Sequence, residues 1–131
     1  MTKKDVATKY IEFLSNGAVE KIVSLFTEDG MVSSPIYGDK LARAFFKELT
    51  DDTANSKLTL KRIFDDVGSN ALALYFEYEW TVRSGKIVIF DVVDIIEFNT
   101  ETKIERLKII YDTVLARKLI EDIRSMNNSQ Q

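Results

Sequence analysis

The sequence has no cysteine and no histidine, one proline and five glycines in 131 residues. Without cysteine there are no disulfides, no thiolate nucleophile and no thiolate-ligated zinc. Without histidine there is no Ser-His-Asp triad, no imidazole metal site and no imidazole base near neutrality. Chemistry, if present, must run on carboxylates, tyrosine, lysine or arginine. Phosphate-cradling glycine loops and calcium-loop spacings are also missing, so neither a metal nor a cofactor is expected. No stretch approaches the roughly 18 apolar residues of a membrane-spanning helix. Met1 to Asn16 mixes Lys3, Lys4, Asp5 and Glu12 among its apolar residues, unlike a signal peptide, so a soluble, cytoplasmic protein is expected. Eighteen Lys and Arg against 21 Asp and Glu give a net charge of −3, which supplies no excess to neutralise phosphates and argues against nucleic acid as a partner.

What is present is a core-forming composition, 45% hydrophobic and 30% charged, of one-domain length. One domain is expected over residues 1–126, with 127–131 as a polar tail. Val6, Tyr10, Phe13 and Leu14 recur at helical spacing and stop at Ser15-Asn16-Gly17. Val19, Ile22, Val23 and Phe26 form a second short stripe that ends at the turn signal Thr27-Glu28-Asp29-Gly30. Met31 to Ser33 reads as a brief extended piece before Pro35, and Gly38-Asp39 as the opening of a third helix, whose apolar face holds Leu41, Ala42, Phe45, Phe46 and Leu49. Asp51 to Asn55 reads as a polar loop. From Leu58 the pattern turns to β-branched and aromatic runs, and four antiparallel strands are expected at about Lys57–Asp66, Ala71–Val82, Lys86–Phe98 and Lys103–Tyr111. Leu115, Leu119, Ile120, Ile123 and Met126 mark a C-terminal helix.

Parity fixes the central hairpin. Leu72, Leu74, Phe76, Tyr78 and Trp80 share one face of their strand, and Val88, Phe90, Val92, Asp94, Ile96 and Phe98 share one face of the next. A three-residue turn, Arg83-Ser84-Gly85, aligns these two faces by pairing Trp80 with Val88 and Phe76 with Val92, and Gly85 suits its left-handed position. The opposite face carries Tyr75, Ile87, Ile89, Val93 and Ile95, too apolar to be left in water, and a homodimer through it is expected.

Asp94 is the anomaly of this pattern, a carboxyl among apolar residues of an inward face. Two roles are open to it: a desolvated, protonated donor, or a carboxylate satisfied by backbone amides or an arginine. Tyr10 lies on the apolar stripe of the first helix with Val6 and Phe13, the place of an ordinary core tyrosine with its hydroxyl satisfied.

The stretch Lys9-Tyr10-Ile11-Glu12-Phe13-Leu14-Ser15-Asn16-Gly17 through Phe26 and Glu28-Asp29-Gly30 resembles the opening of ketosteroid isomerases and SnoaL-like proteins of the nuclear-transport-factor-2-like superfamily. The likeness continues through Val32-Ser33-Ser34-Pro35, Gly38, the aromatics of the third helix, Asp94 to Asn99 and Lys103-Ile104. It implies an α+β fold: a cone-shaped barrel of curved antiparallel sheet packed on three N-terminal helices, with a C-terminal helix. In the isomerases a tyrosine and a protonated aspartic acid form an oxyanion hole while a second aspartate moves the proton. By resemblance, Tyr10 and Asp94 fall on the two donors and Tyr111 on a pocket aromatic. The base aspartate falls on Ser34, which holds no charge near neutrality. Asp112 resembles a carboxylate that ends the last strand in SnoaL-like proteins, although alternation points it away from the pocket and its place also suits a helix cap. A related epoxide-hydrolase pattern has an arginine where Val92 stands.

These features imply a pocket for a small, largely apolar carbonyl or phenolic molecule, with Tyr10, Asp94, Ser34 and Asp112 as candidate catalytic residues. Phe45, Phe46, Phe76, Tyr78, Trp80, Phe90 and Tyr111 are its expected lining. The chemistry expected of such an enzyme is cofactor-independent enolisation or isomerisation. The competing reading is a noncatalytic dimeric module whose pocket is filled.

Overall fold

The structure, a computed structural model, describes residues 1–129. Helix α1 (Lys3–Ser15) starts at a reciprocal cap: Thr2 Oγ1 accepts the Asp5 N–H at 3.1 Å and Asp5 Oδ2 accepts the Thr2 N–H at 2.9 Å. It ends at Asn16 and Gly17, the latter at φ +63°. Val6, Ala7, Tyr10 and Leu14 face the core. Lys3 fastens the start of α1 to a distant turn, donating to the carbonyls of Asp66, Ser69 and Ala71 and pairing with Asp65 at 2.7 Å. Helix α2 (Val19–Val23) follows.

Strands β1 (Phe26–Ser34) and β2 (Gly38–Leu41), helix α3 (Ala42–Asp51), strands β3 (Thr53–Asp65), β4 (Ala71–Val82), β5 (Ile87–Phe98) and β6 (Ile104–Ile110), and helix α4 (Val114–Ser129) complete the chain. The sheet order is β2-β1-β6-β5-β4-β3. The four strands expected from Lys57 onward are antiparallel neighbours, and Trp80 pairs with Val88 and Phe76 with Val92 as parity requires. Gly85 stands at φ +91° in the turn between them. Helices and inner sheet face enclose one core, and β2 and β3 are left as the two edges of an unclosed cone.

Five expectations are corrected. The sheet is mixed rather than antiparallel, because β1 runs parallel to β6. Thr27 to Gly30 is no turn: it lies within β1 as an irregular excursion between the pairs Phe26–Ile104 and Met31–Arg106. Gly38 to Leu41 forms β2, paired with β1 across the loop Pro35-Ile36-Tyr37, so α3 begins only at Ala42. The polar stretch Thr53 to Asn55 opens β3, where pairing to Val82 and Thr81 overrides weak strand propensity. Helix α4 also takes in Asn127 to Ser129, expected as tail, and Gln130 and Gln131 lie outside the described residues. The side chains of Leu115, Ile123 and Met126 are likewise outside the description, while Ala116 and Ile120 of the same helix are buried in the core.

The backbone of Gly30 explains the excursion in β1. A Cβ there would stand 2.9 Å from Phe26 Cδ2 and 3.0 Å from the Ile104 carbonyl oxygen, so β1 reaches β6 only with a bare α-carbon at this point. Gly30→Ala is therefore expected to destabilise the fold by about 1–3 kcal/mol through overpacking. Urea unfolding checks this, with Gly68→Ala, which has open space around it, as the neutral comparison.

Candidate functional site

Strand β5 carries Asp94 on its inner face, between Val92 and Ile96 and opposite Leu74 of β4 and Ile109 of β6. The residue is 1% exposed, and neither carboxylate oxygen has a hydrogen-bond partner among the described residues. The reading in which backbone amides or an arginine satisfy it does not hold. Burial pushes its carboxyl up from 3.8 to about 7, and the nearby Tyr10 hydroxyl draws it back only in part. Tyr10, equally buried on α1, is raised well above its ordinary value by burial and by the Asp94 carboxylate. Each group thus influences the other's proton, although no hydrogen bond joins them.

Both open into one cavity, with about 460 Å³ of space between atoms including its open mouth. Ser34, one of the candidate catalytic residues, lines it together with Phe45, Phe76, Tyr78, Trp80, Phe90 and Tyr111. Phe90 stacks on Tyr78 at 5.7 Å between ring centroids with 6° between planes, and the Tyr111 ring lies 4.9 Å from that of Phe90, tilted by 37°. Two expected residues stay out. Phe46 is buried behind the wall, in contact with Tyr10, Phe26 and Phe45. Asp112 is exposed, and its Oδ1 accepts the Val114 N–H at 3.1 Å, which makes it a cap for α4 rather than a group of the cavity.

Five lining residues were not singled out in the sequence: Leu14, Tyr37, Leu49, Val92 and Ile109. Leu14 follows Tyr10 by one helical turn, and Val92 precedes Asp94 by one strand repeat, so periodicity already pointed to these two. Tyr37 sits in the loop after Pro35, where no periodicity applies.

The polar ends of the wall are tied outward. Tyr78 and Ser56 share a hydrogen bond of 2.7 Å, Trp80 Nε1 donates to Thr53 Oγ1 at 2.8 Å, and the Tyr37 hydroxyl donates to Asp52 Oδ2 at 2.7 Å. Ser34 Oγ accepts the Tyr37 N–H at 3.1 Å, which fixes it at the tip of the β1–β2 loop. Asp94 is therefore the one acidic group in a cavity of rings and aliphatic chains, and no lysine or arginine lines it. No cluster of acidic residues suited to a metal ion occurs among the described residues.

Because the folded Asp94 holds its proton up to about pH 7 and the unfolded one only to 3.8, the native state binds more protons between these values. Stability therefore falls as pH rises through that window and levels off above it, by a few kcal/mol for a shift of this size. Asp94→Asn removes the proton. The difference in unfolding free energy between variant and wild type should grow in the variant's favour from pH 4 to pH 8, as read by urea melts. A difference independent of pH would contradict the raised carboxyl.

No protein-family model matches the sequence, and no curated protein matches it significantly. Solved structures do match in shape. PrhC from Penicillium brasilianum is 16% identical with a TM-score of 0.80, over 95% of this chain and 89% of that one. A nuclear-transport-factor-2-like protein of unknown function from Burkholderia pseudomallei is 14% identical with a TM-score of 0.80, over 92% and 98%. TerC, co-crystallized with polyporic acid, is 20% identical with a TM-score of 0.76, over 91% and 98%. At such identities the likeness is one of fold: three N-terminal helices, a curved six-stranded mixed sheet and a C-terminal helix in the nuclear-transport-factor-2-like cone.

Proposed function

We propose that the cavity binds a small, largely apolar carbonyl or phenolic molecule whose oxygen accepts hydrogen bonds from Tyr10 and from protonated Asp94. The observation that carries this is the pair of buried Asp94 oxygens without partners, in one cavity with the Tyr10 hydroxyl. A buried polar group left unpaired is costly, and a ligand oxygen would complete the set. The aromatic walls supply the apolar contact that holds the rest of such a ligand. The fold's capacity to take a small organic molecule is supported by TerC, co-crystallized with polyporic acid.

Two donors converging on one oxygen stabilise negative charge there, as in an oxyanion hole. On an enolisable ketone they would favour the enolate. On a phenol they would favour the phenolate. By resemblance Ser34 falls where the isomerases carry their base, and a hydroxyl is a poor proton acceptor at neutral pH. We therefore assign the site to binding and polarisation of a carbonyl or phenolic oxygen, with isomerisation as the reaction class it suits.

The outer sheet face suits a second copy of this chain. Ile87, Ile89, Ile95 and Ile110 are exposed there at 58%, 53%, 36% and 43%. Around them stand Glu77, Glu79, Asp91 and Glu97 against Lys57, Arg62, Arg106 and Lys108. Acids of β4 and β5 stand among bases of β3 and β6 on this face, so two copies can meet with opposite charges opposed.

Substituted phenols titrated against Trp80 fluorescence and phenolate absorbance test the site. Wild type should bind, and Tyr10→Phe and Asp94→Leu should each weaken phenolate binding by about 10-fold or more, the usual worth of a hydrogen bond to a charged group. Affinity for the phenolate should also fall as pH rises past about 7, where Asp94 ionises and repels it. Absence of binding, or binding indifferent to both substitutions in folded protein, overturns the assignment and leaves a noncatalytic module. For the interface, sedimentation at micromolar concentration should give twice the 15.0 kDa chain mass, and Ile89→Lys should give the monomer. A monomeric wild type would rule out the pairing.

A further inference from the structure

A second cavity adjoins the first. With about 630 Å³ of space between atoms including its open mouth, it opens where the α1–α2 turn, Ser15 to Gly17, faces the end of α3 and the start of β3, Thr53 to Ser56. Leu14, Leu49 and Tyr78 line both cavities. Tyr78 spans the wall between them. Its ring stacks on Phe90, which lines the inner cavity and not the outer, and its hydroxyl is bonded to Ser56 Oγ, which lines the outer and not the inner.

The two linings differ in chemistry. Apart from its aromatic hydroxyls, Ser34 and Asp94, the inner cavity is apolar. The outer one is faced by hydroxyls and amides, among them Asn16, Thr50, Asn55 and Ser56, and by no Asp, Glu, Lys or Arg, although 30% of the chain is charged. Ser15 Oγ and Thr53 Oγ1 are committed to the carbonyls of Ile11 and Leu49. The Asn16, Thr50 and Asn55 side chains make no hydrogen bond among the described residues and are free for a guest. Amide and hydroxyl groups both donate and accept, so they match neutral hydroxyl and carbonyl groups. A charged guest would find no opposite charge to offset its lost hydration.

We propose that the outer cavity is a second subsite of the same pocket and holds an uncharged, hydroxyl- or carbonyl-bearing arm of the ligand whose apolar head lies at Tyr10 and Asp94. This rests on the function proposed above and narrows it. The ligand class becomes a neutral cyclic or aromatic ketone or phenol with a short oxygenated arm, and a purely hydrocarbon steroid-like or alkyl-chain ligand fits it poorly. The arm crosses at Leu14, Leu49 and Tyr78, the three residues common to both linings.

Three probes separate this subsite from the inner one: phenol itself, para-propoxyphenol and para-(hydroxyethoxy)phenol, the last two with arms of equal length. Each is titrated by Trp80 fluorescence against wild type and a Thr50→Val, Asn55→Leu double variant, neither of whose positions lines the inner cavity. Wild type should bind the hydroxyethoxy compound about fivefold or more tightly than the propoxy one, the worth of one net hydrogen bond. The double variant should lose that preference and bind bare phenol unchanged. Normal phenol binding with equal or better binding of the propoxy arm overturns the subsite alone, as does a preference the double variant retains. Failure of all three compounds to bind folded wild type overturns the inner site and the subsite with it.

Discussion

One carboxyl buried without a partner is the constraint on which the inner face of this protein turns. An ionised, unpaired carboxylate in an apolar cavity costs several kcal/mol, so the group keeps its proton until the solution is near neutral. The surroundings enforce this by what they withhold. None of the 18 Lys and Arg side chains lines the cavity, and Val92, one strand repeat before Asp94, presents only methyl groups. An arginine there would pair with the acid, pull its proton off and turn the site into an ion pair. The sequence instead leaves Asp94 poised between its two forms with Tyr10 as its polar neighbour.

A cavity of this kind survives only if the rings around it do not collapse inward, since an empty apolar space forfeits contacts on every side. The aromatic walls are held from their far ends. Tyr78, Trp80 and Tyr37 each carry a polar atom, and each is bonded to the rim formed by the end of α3 and the start of β3, through Ser56, Thr53 and Asp52. Thr53 in turn donates to the Leu49 carbonyl, closing the strand onto the helix. Rotating a ring into the cavity would break a part-buried hydrogen bond, a loss that offsets the dispersion attraction of the tighter packing. The stretch of β3 that holds these anchors is polar, which is why it reads as a loop in the sequence and serves as a strand in the fold.

The antiparallel half of the sheet was legible because period-two alternation over Leu72 to Val82 and Val88 to Phe98 admits one register that joins the two apolar faces, and Gly85 supplied the matching turn. The same alternation exposed Asp94 as misplaced. What could not be read were pairings set by distant segments. Nothing in Thr27-Glu28-Asp29-Gly30 announces a strand, because its extended form is imposed by β6 and by the approach of Gly30 to the Ile104 carbonyl. Gly38 to Leu41 likewise becomes a strand by pairing with β1. Phe45 and Phe46 illustrate the limit for the site. Adjacent on α3, they diverge by about 100° around the helix axis, so only one can face the cavity, and the packing of α3 against Tyr10 and Phe26 decides which.

The coupling between proton and ligand follows from the same carboxyl. A ligand oxygen that accepts a hydrogen bond from Asp94 stabilises its protonated form, so binding raises its pKa above about 7 and, near neutrality, draws a proton from solution. If the guest is a phenol that ionises on binding, that proton need not come from water: the phenol's own can pass to Asp94, and the site exchanges one buried negative charge for another shared with Tyr10. The net charge within the cavity then stays nearly constant through the event. That constancy is favourable in a space with no cation to answer a change, and it makes an acid titrating at neutrality better suited to this cavity than one fixed permanently in either form.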